Sequence, residues 1–168
     1  MKDFRVKKYQ IHTDKIQNPE GVRFVLLADL HGISYGRENV RLVETIRRLN
    51  PDAILSAGDM AVRTQPDTLV TACKLLKKLV HDFPVYYALG NHEYKMTLSG
   101  EYRGYYEKYE KMLKTAGVHI LRNTHEHAIF KGEHFCFWGL ELPIEYYHKP
   151  KSPKLKTKMM EELIGKPG

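Results

Sequence analysis

The chain has 168 residues, which is enough for one domain with a hydrophobic core. Apolar residues make up 42% and charged residues 28% of the sequence, and this composition excludes a chain that is disordered throughout. The formal net charge of +7 would suit an anionic partner, but the basic residues lack the aromatic spacing of a nucleic-acid-binding module, so we favour a lysine-rich surface.

The first half of the chain alternates strand and helix patterns. Residues 4–13 alternate apolar and polar side chains, which predicts an edge strand. Further on, continuous apolar runs predict buried strands, and apolar residues at helical spacing predict helices. These patterns give strands over 22–28, 53–57 and 84–89, with helices over 38–49 and 67–80 between them. Such an order requires right-handed crossovers, so we predict an α/β fold with a mostly parallel sheet.

The second half begins with a helix and continues with short strands. Helical spacing covers residues 102–116, and Gly117 is placed to end that helix. Strands over 118–121, 128–130 and 134–140 follow, with a hairpin turn predicted at Lys131-Gly132-Glu133. A Ser-Pro start and apolar spacing then predict a last helix over 152–164.

The sequence carries no pattern typical of a membrane-spanning or secreted protein. Its longest apolar runs, such as residues 24–28, have the length of a strand. No apolar segment follows the N-terminal Met1, so we predict no signal peptide. Cys73 and Cys136 form no CxxC pair, which favours two reduced, packed cysteines. We therefore expect a cytoplasmic protein without a transmembrane segment.

Polar clusters follow each of the first three predicted buried strands. The clusters are Asp29-Leu30-His31-Gly32, Gly58-Asp59 and Gly90-Asn91-His92-Glu93. Because the carboxyl ends of parallel strands line one crevice, we expect these clusters to converge in space. Asp and Asn supply oxygen ligands and His supplies nitrogen, so the residue types suit divalent metals.

In this order, the motifs Asp-x-His, Gly-Asp and Gly-Asn-His-Glu resemble the first three signature motifs of calcineurin-like metallophosphoesterases. The opening segment, residues 6–26, is also similar to the bacterial YkuE-like branch of that family. The resemblance implies an α/β fold of the αββα sandwich type that is incomplete at the C-terminus. It further implies that residues 1–168 form a single domain, which stops before the family's last metal-binding motifs.

The resemblance also implies roles for individual residues. Asp29 and His31 would bind a first metal, Asp59 would bridge two metals, and Asn91 would bind the second. His92 would lie beside the leaving group as a general acid or charge stabiliser. The cofactors would be two divalent ions, Mn, Fe or Zn, and the substrate a phosphoester, attacked by a hydroxide that the metal pair activates.

Three departures from the family pattern qualify this reading. Many relatives carry a second Asp where this chain has Val62, so His92 is expected to lack a carboxylate partner. Arg63 follows, and it is either a ligand of the substrate phosphate or a solvated loop charge. The later lone His and the Gly-His-x-His motif are not found. His125 and His127 form a His-x-His pair, but no Gly precedes it, so we predict exposed histidines on a strand or turn.

These departures leave two further hypotheses open. With few ligands for the second ion, we expect weak metal binding and little activity from this chain alone. The alternative to an enzyme is a non-catalytic, degenerate metal-binding or interaction module. Nucleic-acid binding rests on net charge alone, with no specific motif, and ranks last.

Overall fold

Four parallel strands form the first sheet of the computed structural model, which describes residues 3–147 and 152–165. The strands lie side by side in chain order as β1 (Phe24–Leu27), β2 (Ala53–Ser56), β3 (Val85–Ala88) and β4 (His119–Leu121). Leu27 pairs with Ser56, and Ser56 pairs with Tyr87. The carboxyl ends of β1, β2 and β3 therefore finish level at one edge of the sheet.

Helices cover one face of this sheet. The helices on this face are α1 (Val40–Leu49), α2 (Thr68–Asp82), α3 (Asn91–Thr97) and α4 (Arg103–Thr115). The chain also forms α5 (Thr157–Ile164) after the hairpin, and short 3-10 helices at Arg37–Asn39 and Ile144–Tyr147. The apolar stripes predicted for α1, α2 and α4 are buried together against β3. Asn50 adopts a left-handed conformation and ends α1 just before Pro51, and Gly117 does the same after α4.

A two-stranded antiparallel sheet covers the other face. It consists of β5 (Thr124–Phe130) and β6 (Glu133–Gly139). Lys131 and Gly132 connect the two strands with φ values of 53° and 85°, the type I′ geometry that favours a tight hairpin, so the predicted turn is confirmed. Phe130 and Phe137 pack edge-on against Phe24 of β1, with ring centroids 5.7 and 5.5 Å apart.

The layers agree with the predicted αββα sandwich fold. Helices, the parallel sheet and the hairpin stack in that order. The chain just after α5 then passes over the outer side of the hairpin, because a Cβ built on Gly165 would lie 3.6 Å from the Trp138 ring. In the part of the chain that the structure describes, no helix is long and apolar enough to cross a membrane.

Two predicted elements differ from the structure, and one helix was not predicted. Residues 4–13 form no strand, and Tyr9 and Ile11 are 83% and 86% exposed, because alternation alone supplies no neighbouring strand to pair with. The last helix begins at Thr157 and not at residue 152. A short helix, α3, occupies Asn91–Thr97, where the sequence suggested only a polar cluster.

Candidate metal centre at the strand ends

The loops after β1 and β2 hold their polar residues in an unusual backbone conformation. Asp29, His31 and Asp59 have φ values of 54°, 48° and 49°, in the left-handed region that non-glycine residues rarely adopt. Backbone hydrogen bonds hold the two loops together. The Asp29 N–H donates to the Gly58 carbonyl at 3.1 Å, and the His31 N–H donates to the Asp59 carbonyl at 3.0 Å. Such conformations cluster at functional sites, where the surrounding structure compensates for their cost.

Two glycines let the loops after β2 and β3 touch. A Cβ on Gly58 would lie 1.8 Å from the Gly90 nitrogen, and a Cβ on Gly90 would lie 2.1 Å from the Asp59 nitrogen. Gly58 also has a φ of 82°, which side-chain-bearing residues adopt only with strain. Neither position has room for any other residue, so the glycines in both motifs serve the close approach of two backbones.

The Glu93 carboxylate connects these loops through hydrogen bonds. It lies in the first turn of α3 and is fully buried. It accepts hydrogen bonds from the backbone N–H groups of Asp59 at 2.9 Å, Ala61 at 2.9 Å and Gly90 at 3.1 Å. Burial raises the pKa of Glu93, and the N–H donors oppose that rise. The sequence interpretation gave Glu93 no role, although a Glu three positions after a helix-starting Gly is a recognisable capping signal.

The predicted ligands converge on the carboxylate of Asp59. His31 Nε2 lies 3.8 Å from Asp59 Oδ2 and 3.9 Å from Asp29 Oδ1. Asn91 Nδ2 donates to Asp59 Oδ2 at 2.6 Å, and the His92 N–H donates to Asp59 Oδ1 at 2.8 Å. We call these five residues the strand-end site; the structure brings all of them together.

One buried atom in this site indicates a cation. His31 Nε2 has no accessible surface and no hydrogen-bond partner among the described residues, although two carboxylates face it. A buried nitrogen without a partner costs free energy unless something binds it. Donor atoms of His31, Asp59 and His92 all lie within 4.8 Å of one another. Carboxylate oxygen and imidazole nitrogen together are a donor set that fits a divalent cation.

His92 has a backbone partner in place of a carboxylate. Its Nδ1 accepts a hydrogen bond from the Arg63 N–H at 3.0 Å, so the proton of the neutral ring is on Nε2. Burial lowers the pKa of His92, although the nearby Asp59 opposes this. The ring centroids of His31 and His92 are 5.2 Å apart, so the His92 ring lies beside His31 in the strand-end site. The Arg63 side chain is exposed at the rim.

The fold and this site define a class of protein. The sequence profile of the Calcineurin-like phosphoesterase family matches residues 22–162. That span includes all three strand-end motifs and most of the described elements. The chain therefore belongs to the calcineurin-like phosphoesterase family.

Individual relatives have been found by sequence and by structure. A Danio rerio transmembrane protein with a metallophosphoesterase domain is 30% identical over 137 residues, which cover 80% of this chain and 29% of that protein. A Caenorhabditis elegans metallophosphoesterase is 31% identical over 151 residues, with coverages of 79% and 29%. The crystal structure of the phosphopantetheinyl hydrolase PptH from Mycobacterium tuberculosis aligns with 83% of this chain and 50% of that one, with a TM-score of 0.49 and 21% identity. The chain thus spans less than a third of the two curated relatives.

Proposed function

We propose that this chain hydrolyses a phosphomonoester or phosphodiester with the help of two divalent ions, Mn, Fe or Zn. The observation that carries the proposal is the buried, unpaired Nε2 of His31 between the carboxylates of Asp29 and Asp59. Ordinary ion pairing does not account for it, because both distances are too long for hydrogen bonds. Family membership supports the same chemistry.

The ligand roles follow from what each side chain offers. Asp29 and His31 would hold one ion, and Asp59, whose two oxygens both face the site, would contact both ions. Asn91 would hold the second ion through its amide oxygen, since its amide nitrogen already donates to Asp59. The ions, when bound, acidify water and neutralise the negative charge of a phosphoester.

The remaining residues would act on the substrate. His92 carries its proton on Nε2 and would donate it, as a hydrogen bond, to an oxygen of the phosphoester or of the departing alcohol. The backbone bond to Nδ1 favours the neutral ring, because a protonated Nδ1 could not accept from the Arg63 N–H. The exposed guanidinium of Arg63 would contact a phosphate oxygen at the rim.

Calorimetric titration with Mn²⁺ tests the metal centre directly. We expect weak binding, because among the described residues we propose only Asp59 and Asn91 as ligands of the second ion. Asp59→Asn should weaken it by more than about 100-fold, since loss of a residue that only orients a metal ligand already costs about 10–100-fold. Asp67→Asn, an exposed aspartate before α2, is the matched control and should bind as the unmodified chain does. Equal affinities in the two variants would refute the proposed ligand set.

Turnover separates the enzyme from the alternative function. The alternative is a non-catalytic metal-binding module, and Val62 in place of a second carboxylate near His92 favours it. Hydrolysis of 4-nitrophenyl phosphate and bis(4-nitrophenyl) phosphate with added Mn²⁺ should be measurable and should be lost in Asp59→Asn. Mn²⁺ binding with no turnover of either ester would support the module instead.

Three finer assignments stay predictions. The bacterial YkuE-like branch rests on the opening segment alone, whereas the two curated relatives are animal proteins. The cytoplasmic location rests on the apolar runs, the N-terminal sequence and the two cysteines. Both cysteines are free in the structure, but Cys136 is exposed, so the prediction that both are packed is wrong for Cys136. The single domain over residues 1–168 rests on the order of the motifs.

A further inference from the structure

The outer face of the hairpin carries a second group of metal-binding side chains. His125 and His127 lie two residues apart on β5, so their side chains share one face. Register places Cys136 of β6 directly opposite His127. All three side chains are exposed, and donor atoms of the three lie within 4.8 Å of one another. The prediction of exposed histidines is therefore confirmed, and Cys136 lies beside them.

The local packing holds this group in place. The His125 ring stacks on Trp138, its cross-strand partner, with centroids 4.2 Å apart and planes at 29°. The His125 and His127 rings meet edge to face at 5.3 Å. The type I′ turn fixes the register that sets His127 against Cys136. The hairpin thus holds two of the three donors on adjacent strands and restrains the third by stacking.

The donor types differ from those of the strand-end site. Two imidazoles and one thiolate are borderline-to-soft ligands, which select zinc over magnesium, calcium or manganese. Tetrahedral zinc, with bonds of about 2.0–2.1 Å to nitrogen and about 2.3 Å to sulfur, sets its donors roughly 3.5 Å apart. Exposed side chains need to move by only about 1 Å to reach that spacing, which is within rotamer adjustment.

We propose that His125, His127 and Cys136 form a second metal site, which takes Zn²⁺ or a similar transition-metal ion and completes its coordination with water. On binding, the Cys136 thiol gives its proton to solvent and a sulfur–metal bond forms, with no change of oxidation state. The site is separate from the strand-end site, because the three donors lie on the outer face of the other sheet.

Co²⁺ titration of the full chain with a phosphine reductant tests this proposal. A cobalt–thiolate bond gives a near-ultraviolet charge-transfer band, whereas oxygen and nitrogen ligands at the strand-end site do not. The chain has two cysteines, and Cys73 is buried between helices, so the band reports on Cys136. We expect one equivalent of Co²⁺ to produce the band and Zn²⁺ to remove it by displacement.

Variants locate the site. Cys136→Ser should abolish the band, and His127→Ala should weaken Co²⁺ binding by about tenfold or more. His134→Ala is the matched control, because His134 is exposed on the same face but outside the three-donor group. Asp59→Asn should keep the band, which makes the result independent of the strand-end site. No band in the reduced wild-type chain, or a band that survives in Cys136→Ser, would overturn the proposal.

Discussion

Replacement of Glu93 by Gln should loosen the loops that form the strand-end site. The Oε2 atom accepts two of the three backbone hydrogen bonds, from Asp59 and Gly90, and Oε1 accepts the third, from Ala61. Gln keeps one oxygen, so its NH₂ group would face the buried N–H of Ala61. A hydrogen bond to a charged group contributes about 1.5–3 kcal/mol, and an unpaired buried donor costs about 1–3 kcal/mol.

Removal of the buried charge offsets part of that cost, because desolvation already penalises the carboxylate. We therefore expect the free energy of unfolding to fall by about 2 kcal/mol. Urea denaturation of Glu93→Gln measures this fall, with Glu44→Gln as the control because Glu44 is exposed on α1. Mn²⁺ titration without urea, at a temperature at which both variants are folded, separates an effect on the position of the metal ligands from an effect on stability. Unchanged stability and unchanged Mn²⁺ affinity in Glu93→Gln would refute the role of this carboxylate.

Two further predictions concern a glycine contact and an acidic transition. Gly58→Ala should lower the free energy of unfolding more than Gly132→Ala does. Both glycines have a positive φ, which costs about 1–2 kcal/mol for alanine, but of the two only Gly58 meets another backbone. Equal losses in urea denaturation would contradict the close-packing argument. Hydrogen bonds from Lys78 and Lys74 lower the pKa of Glu38 from 4.5 to about 2, so their stabilisation is present above pH 4.5 and is lost as the pH falls towards 2. The stability difference between the wild type and Glu38→Gln should shrink across that window, and a constant difference would count against the pairing.

The parallel sheet was predictable from its apolar runs, although only β2 and β3 are largely buried, whereas β1 lies at the sheet edge and its Leu26 is 68% exposed. The mostly apolar runs at 22–28, 53–57 and 84–89 favour strands over amphipathic helices. Residues 4–13 show the limit of pattern alone: the alternation is present, but Tyr9 and Ile11 are exposed. Helix α3 was missed because its seven residues begin with metal-ligand types, which obscure any apolar periodicity.

The sequence predicted which residues meet at the strand-end site, but not the contacts that hold them in place. Because the carboxyl ends of parallel strands lie at one edge of a sheet, Asp29, Asp59 and Asn91 are expected there without knowledge of any contact. The bonds from Glu93 depend on how three loops stack in space. The approach of Cys136 to His127 depends on hairpin register, which a spacing of nine residues in the sequence does not reveal.

The level ends of β1, β2 and β3 have a thermodynamic consequence for the proposed ions. Three successive strand–helix units each contribute a ligand, and a slip of one strand by one residue would move its ligand by about 3.3 Å. An ion that binds only the aligned chain stabilises it by RT ln(1 + [L]/Kd), about 2.7 kcal/mol at a free concentration of 100 times Kd. The melting temperature of the chain would then rise with cation concentration, and chelation would favour unfolding of these three strands.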